Sequence, residues 1–475
     1  MKFANSRQSN NYYYDGDEST CELPNMSRAS AGGRMHADNF YVRHYYSERR
    51  REKSHAANAF LITLISFLTV GFVFLFINAW NQSSAARASG VNTFQAVAEE
   101  MIPKQIVEAV TGTETGAGDA AGAGIDLTNA TPTASSNIVS YDGQYVITDT
   151  AADDSVTFSF AGDILFDNSY AIAASINQKG GNIESAFDSA SLDLMRSADV
   201  FCVNNEFPYS KRGTPTAGKK YTFRSDPAHV SWLQTMGVDM VELANNHAYD
   251  YGPDALTDTV ETLDGIGMIH VGAGRNLNEA SAPAYFYVDG MRIALINSSQ
   301  IERYDNPETK AATDTTPGVF RSFDQSGLLQ VISAAKSQSD FVIVLMHWGT
   351  EKTHEADWLQ TSRLTDMQQA GADLIVGAHP HVLQGMTYVG DMPVIYSLGN
   401  YLFSSFTMDS GILQVTFQPS SKQMTQLRFV PMLQSNSTEK VLTGSEKKRV
   451  INELRSWSPG VNISDDGTIA SALAQ

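Results

Sequence analysis

Short apolar runs alternate with amphipathic stretches from about residue 155 to residue 434, which predicts an α/β fold with at least partly parallel sheets. Strands are expected at 156–161, 200–204, 240–243, 341–346 and 374–376. Helices are expected at 190–197, 227–236, 253–266, 327–337 and 359–370, and Pro227 and Pro253 suit a first helical turn. Two hairpins interrupt the alternation: 284–288 turns at Asp289-Gly290 into 291–296, and 386–389 turns at Gly390-Asp391 before 393–397. Further β segments at 411–417 and 427–432 suggest two packed mixed sheets with helices outside. A helix at 446–457 and a loose tail complete a C-terminal stretch, 435–475.

The first third of the chain reads differently. Residues 1–55 are rich in Tyr, Asn, Ser and Arg without apolar periodicity, the pattern of a disordered tail. Residues 56–80 carry no charge, and a run of roughly 20 such residues suffices for a transmembrane helix, with Trp80 as its interfacial anchor. Arg49-Arg50-Arg51-Glu52-Lys53 precedes the run and Arg87 is the nearest basic residue after it, so the N-terminus is expected in the cytoplasm and the rest outside the cell. A cleaved signal peptide ending near Ala86-Arg87-Ala88 is the rival reading, but the run is long and begins late, which favours a retained signal-anchor. A helix at 91–110 and a Gly-, Ala-, Ser- and Thr-rich stretch then form an extracellular spacer, 81–154, ahead of a domain at 155–434.

Composition sharpens this picture. A chain of 475 residues with 42% hydrophobic content can bury a sizeable core. Its formal charge is −19; residues 1–55 hold 9 basic and 7 acidic residues, leaving 24 and 45 beyond them, a balance of −21 that argues against nucleic acid as a partner. On the expected topology the two cysteines, Cys21 and Cys202, lie on opposite sides of the membrane and cannot pair.

The chemistry collects where the strands end. After 374–376 come His379-Pro380-His381, and in extended backbone residues two apart point the same way, so both imidazoles are expected to aim at one spot. A bare His-x-His also occurs in surface loops; four further strand ends argue for a shared metal site. They supply Asp163, Glu206, Asn246 with His247, and His347. His247 could be a ligand or a general acid, with Asp250 orienting it. Between Glu206 and Asp226 every charged residue is basic: Lys211, Arg212, Lys219, Lys220 and Arg224. Such a segment is either a solvated loop or an electrostatic guide for a polyanion.

Gly162-Asp163-Ile, Asn204-Asn-Glu206, Leu243-Ala-Asn-Asn-His247 with Asp250-Tyr-Gly252, His347-Trp-Gly349 with Glu351, Gly377-Ala-His-Pro-His381 and Tyr396-Ser-Leu-Gly-Asn-Tyr-Leu-Phe403 follow one another in this order. The set resembles the CapA family of poly-γ-glutamate capsule biosynthesis proteins, within the calcineurin-like metallophosphoesterase superfamily. Where the wider superfamily has a histidine two residues after the first Asp, this chain has Leu165, which weakens one metal position.

The resemblance implies a metallophosphoesterase-like sandwich of two mixed β-sheets flanked by helices, here behind one N-terminal transmembrane helix. It implies one or two divalent metal ions (Mn, Zn or Fe) held by Asp163, Glu206, Asn246, His347, His379 and His381, with His247 and Asp250 in catalysis. Substrate contacts are expected from Asn204, Glu351, Asn400 and the basic residues Lys211, Arg212, Lys219, Lys220 and Arg224. The expected partners are an anionic polymer such as poly-γ-glutamate and capsule synthase membrane subunits. The function expected is that of a membrane-anchored, metal-dependent hydrolase in capsule or cell-surface polymer production. The alternative is a non-catalytic subunit that kept the metal site to grip polymer rather than cut it.

Overall fold

The computed structural model describes residues 127–148, 154–301 and 310–472, all within the compact unit Ala117–Gln475. Nine strands form one sheet, in the spatial order Thr131–Pro132, Ile138–Tyr141, Gln144–Ile147, Ala284–Val288, Met291–Ser299, Phe341–His347, Leu374–Ala378, Met392–Ile395 and Met386–Val389. Its centre is parallel, with Ser299 beside His347 and His347 beside Ala378. Eight strands form the other sheet: Thr438–Val441, Gln423–Ser435, Met408–Gln418, Val156–Ile164, Val200–Asn205, Met240–Glu242 and Ile269–Val271, with Asn400–Leu402 also paired to Val156–Ile164. The four strands from Val156–Ile164 to Ile269–Val271 are parallel.

Alternation along the strands builds the layers, because successive side chains face opposite sides. Phe158, Phe160, Val200 and Cys202 of one sheet meet Ile293, Leu295, Ile343 and Leu345 of the other in a middle core. Phe158 and Phe286 cross it edge to face, with centroids 5.3 Å apart. The intervening residues Phe201 and Val203 turn outward beneath the helices Val230–Met236 and Pro253–Gly265. On the far side, Val342, Val344 and Met346 pack beneath Ser326–Lys336 and Leu364–Ala370. Strands buried on both faces need continuous apolar runs, which is why these segments stand out in the sequence.

Two regions carry more structure than the sequence suggested. Within the stretch read as a spacer, Thr131–Pro132, Ile138–Tyr141 and Gln144–Ile147 extend the nine-stranded sheet, and Ile138 is fully buried. Beyond the helix Gly444–Trp457, the tail forms a hairpin, Val461–Ile463 with Ile469–Ser471, that contributes Val461, Ile463 and Ile469 to the middle core. Cys202 is a buried free thiol, and burial raises its pKa well above the ordinary value.

The expected transmembrane helix at 56–80, the tail at 1–55, Cys21 and the helix at 91–110 lie outside the described residues. Among the described residues no helix is long and apolar enough to cross a membrane. The longest, Gly444–Trp457, has 14 residues. It spans about 21 Å at 1.5 Å per residue, against about 30 Å of hydrocarbon. For the described residues the expected architecture is corrected to a two-sheet sandwich flanked by helices, with no membrane-crossing helix among them. Membrane anchoring, the signal-anchor, the cytoplasmic N-terminus with an extracellular domain, and an association with capsule synthase membrane subunits accordingly find no support among the described residues.

Candidate metal centre

The sandwich brings the carboxyl ends of parallel strands from both sheets to one place. Asp163 closes Val156–Ile164, Glu206 follows Val200–Asn205, and the 243–250 loop follows Met240–Glu242. From the other sheet, His347 closes Phe341–His347, and His379 and His381 follow Leu374–Ala378. Gly162 makes the first of these ends possible. A Cβ there would sit 1.8 Å from the Gly399 carbonyl oxygen, the same oxygen that accepts the Asp163 N–H at 3.0 Å. The close crossing carries Asn400 beside Asp163 in register.

Two sets of donor atoms lie within 4.8 Å of one another: Glu206, His347 and His379 in one, Asp163, Glu206 and His381 in the other. In the first, His347 Nε2 lies 3.1 Å from His379 Nδ1, 2.8 Å from Asn246 Oδ1 and 3.6 Å from Glu206 Oε1. In the second, His381 Nδ1 lies 3.1 Å from Asp163 Oδ2 and 2.9 Å from Asn400 Oδ1. The histidine pair does not aim at one spot through strand alternation, as the sequence suggested. The strand ends at Ala378, and both histidines adopt positive φ, +99° and +59°. That conformation costs non-glycine residues on the order of 1–3 kcal/mol each. It directs the two rings to neighbouring positions that share Glu206.

Glu206 is fully buried, and neither carboxylate oxygen has a hydrogen-bond partner; Asp163 Oδ2 has only the ion-pair contact with His381 at 3.1 Å. A buried carboxylate is costly unless a cation compensates it. Burial first, and then the charge of Asp163, pushes Glu206 well above the ordinary carboxylate range. Burial and neighbouring imidazoles hold His347 and His379 well below their ordinary value, so both are neutral and able to ligate. Burial acts the same way on His381, but Glu206 and Asp163 overcome it and push that ring up to about 10. The charge pattern is that of a cluster short of positive charge. Its carboxylate, imidazole and amide donors suit a divalent metal ion such as Zn, Mn or Fe.

His247 borders the cluster, with Nε2 3.9 Å from Glu206 Oε1. Its Nδ1 donates to Asp250 Oδ2 at 2.7 Å, and its ring stacks on Phe223 at 4.1 Å. Asn204, expected at the substrate, is buried: it donates to Asp163 Oδ1 at 2.7 Å and accepts from Asn245 at 3.1 Å. Asn400 is also buried, and its amide oxygen holds His381. Glu351 is exposed and close enough to raise both Glu206 and His381 electrostatically.

The basic segment divides in the structure. Lys211 pairs with Asp226 at 3.2 Å, and Arg212 pairs with Asp258 and, at 3.9 Å, with Asp254. Lys220 lies over the Tyr221 ring and Arg224 over Tyr251. Lys219 alone turns inward, to Asp250.

Asn297 escaped the sequence reading. From the end of Met291–Ser299 in one sheet, its Oδ1 accepts the N–H groups of Leu243 and Ala244 at 3.1 and 2.7 Å, and its Nδ2 donates to Glu242 at 3.2 Å. It thereby ties the Asn246–His247 loop to the opposite sheet. Its signal was an amide closing the apolar run Ile293-Ala-Leu-Ile296.

Residues 157–405 match the family model for the bacterial capsule synthesis protein PGA_cap. The chain is similar to the PGA biosynthesis protein CapA of Bacillus subtilis, 29% identical over 310 residues that cover 64% of this chain and 79% of that protein. It is also similar to the capsule biosynthesis protein CapA of Bacillus anthracis, 30% identical over 271 residues, 55% of this chain and 64% of that one. Among solved structures, a novel phosphatase from Mycoplasma pneumoniae is similar at 14% identity and a TM-score of 0.38, covering 59% of this chain and 95% of that one. At that distance the likeness says nothing of chemistry.

Proposed function

Because this chain belongs to the bacterial capsule synthesis protein family PGA_cap, we propose that it is a metal-dependent hydrolase acting on an anionic polymer of the poly-γ-glutamate type. The observation that carries this reading is Glu206, a fully buried carboxylate without hydrogen bonds, shared between His347 with His379 on one side and Asp163 with His381 on the other. Asn246, His347 and His379 would complete one metal position with Glu206, and Asp163 and His381 the other. A divalent ion bound there would acidify water or polarise a scissile carbonyl or phosphoryl group. His247, held by Asp250 with Nε2 toward the cluster, is placed to exchange a proton with a reacting group. Asn204 and Asn400 orient Asp163 and His381 rather than meeting solvent, and Glu351 stands at the exposed edge, where an incoming polymer would pass.

One observation favours a second reading, in which the site grips polymer without cutting it. Leu165 is buried at 1% exposure in the apolar core and adds no donor, so the carboxylate and imidazole donors at the Asp163 position are Asp163, Glu206 and His381. Incubating the purified, metal-loaded protein with poly-γ-glutamate and with p-nitrophenyl phosphoesters separates the two. The hydrolase reading expects metal-dependent shortening of the polymer or release of nitrophenol, lost on His247→Gln. Polymer binding without turnover of either substrate class would replace it with the second reading.

A further inference from the structure

The 207–226 segment looked in sequence like a row of surface cations, yet one of them is almost entirely enclosed. The Lys219 side chain is 4% exposed, and its partner Asp250 is 1% exposed. Lys219 Nζ donates to Asp250 Oδ1 at 2.5 Å and to the Asn246 carbonyl at 2.5 Å, and lies 3.4 Å from His247 Nδ1. The other oxygen of Asp250 accepts from His247 Nδ1 and from the Phe223 N–H, both at 2.7 Å. The Asp250 carbonyl also accepts the Thr216 N–H at 2.8 Å. Asp250 is thus a hub that clips one segment, through Thr216, Lys219 and Phe223, to the loop carrying Asn246 and His247. The Phe223 ring closes the hub by stacking on the imidazole.

Geometry fixes the division of labour. A carboxylate only accepts hydrogen bonds, so the short contact to Asp250 requires the proton on His247 Nδ1 and leaves Nε2 as the ring nitrogen that faces Glu206. Lys219 occupies the opposite oxygen and so sets which edge of the carboxylate the imidazole meets. Without the ammonium, Asp250 Oδ1 would be buried unpaired and free to turn toward other donors.

We propose that Lys219 is a positioning residue: through Asp250 it holds His247 as the Nδ1–H tautomer, with Nε2 presented to the metal cluster. The surface cations of the segment do not share this task. The role rests on the reading of the site as a metal centre, but the contact itself is made without metal, so the two can fail separately.

The test is nitrogen NMR of the full chain labelled with [15N]histidine, metal-free and zinc-loaded, with His247 identified among the 10 histidines by its absence in His247→Gln. Wild type should show His247 as a single Nδ1–H form. Lys219→Met should collapse the separation between the two ring-nitrogen signals as both tautomers become populated, while zinc content stays at the wild-type level; Lys219→Arg should restore the separation. A folded Lys219→Met protein that keeps the pure Nδ1–H form overturns the proposal, as does one that loses its zinc. Should Lys219→Met fail to fold, Asp250→Asn with and without Lys219→Met removes the orphaned charge. The two spectra should agree at His247, and a difference between them would show that Lys219 acts on the ring other than through Asp250. If the wild-type protein binds no zinc, the metal reading fails, and the metal-free spectra still decide the role of Lys219.

Discussion

His381 Nδ1 lies 3.1 Å from Asp163 Oδ2, a contact that joins the strand ends of two different sheets. Without metal, the carboxylates around it push this imidazole up to about 10 despite its burial, so a proton stands where a cation belongs. A metal ion taking His381 must displace that proton. Apparent affinity at this position should therefore rise about tenfold per pH unit until the pH approaches the imidazole value. Competition with a chromophoric chelator at pH 6, 7 and 8 reads this directly. Calorimetry in buffers of different ionisation enthalpy should show at least one proton released per ion, since Glu206 at the same position is also pushed upward. An affinity independent of pH would remove His381 from the ligand set.

Asn297 holds the loop of Asn246 and His247 from the opposite sheet. Asn297→Ala leaves the buried Leu243 and Ala244 N–H groups without their side-chain acceptor and should cost about 1–3 kcal/mol. Leu243 N–H keeps a bond to the Val271 carbonyl at 2.9 Å, so the loss falls mainly on Ala244. Urea unfolding of the metal-free variant measures it. Weakened metal binding should accompany it, because Asn246 is carried by the same loop; unchanged stability and metal content would show that the loop holds itself.

Gly162 has no room for a methyl group, since the clash is with backbone rather than with a movable side chain. Gly162→Ala should force the Asn400 crossing away from Asp163, with destabilisation of about 1–3 kcal/mol from overpacking. A melting curve checks the stability, and a pH titration of metal affinity should show the His381 position affected before the His347 position.

The legible part of the site was its strand ends, because a strand buried on both faces must be apolar until it reaches the polar residue that closes it. Asp163, Glu206, His347 and the 243–250 loop could be placed on that ground. The positive φ values of His379 and His381 could not: Pro380 marks an end to ladder pairing, but it does not say that the residues on both sides turn left-handed. The strands between Thr131 and Ile147 were hidden by their brevity, two to four residues each, although Asp142-Gly143, both at positive φ, is the same hairpin signal that was read at Asp289-Gly290. The fate of the basic segment depended on partners at Asp226, Asp250, Asp254 and Asp258, 15 to 46 residues away, which no local pattern reveals.

Those partners change what the surface cations can do. Exposed ion pairs contribute about 0–1 kcal/mol, and their charge toward a distant polyanion is largely cancelled. Changing Lys211 and Arg212 to Ser should alter polyglutamate capture by less than about twofold, roughly 0.4 kcal/mol. Binding measured at low and moderate salt checks this, and a large, salt-sensitive loss would restore these residues as the polymer guide.

The most direct test of the metal centre is the metal content of the wild-type protein and of Glu206→Gln after dialysis against a divalent metal ion and then against buffer. Glu206 is common to both donor sets and has no hydrogen bond to lose, so the variant should keep its fold, with metal-free stability equal to or above wild type. The account predicts bound divalent metal in the wild type and its loss in Glu206→Gln. Equal metal in the two proteins, or none in either, would contradict it.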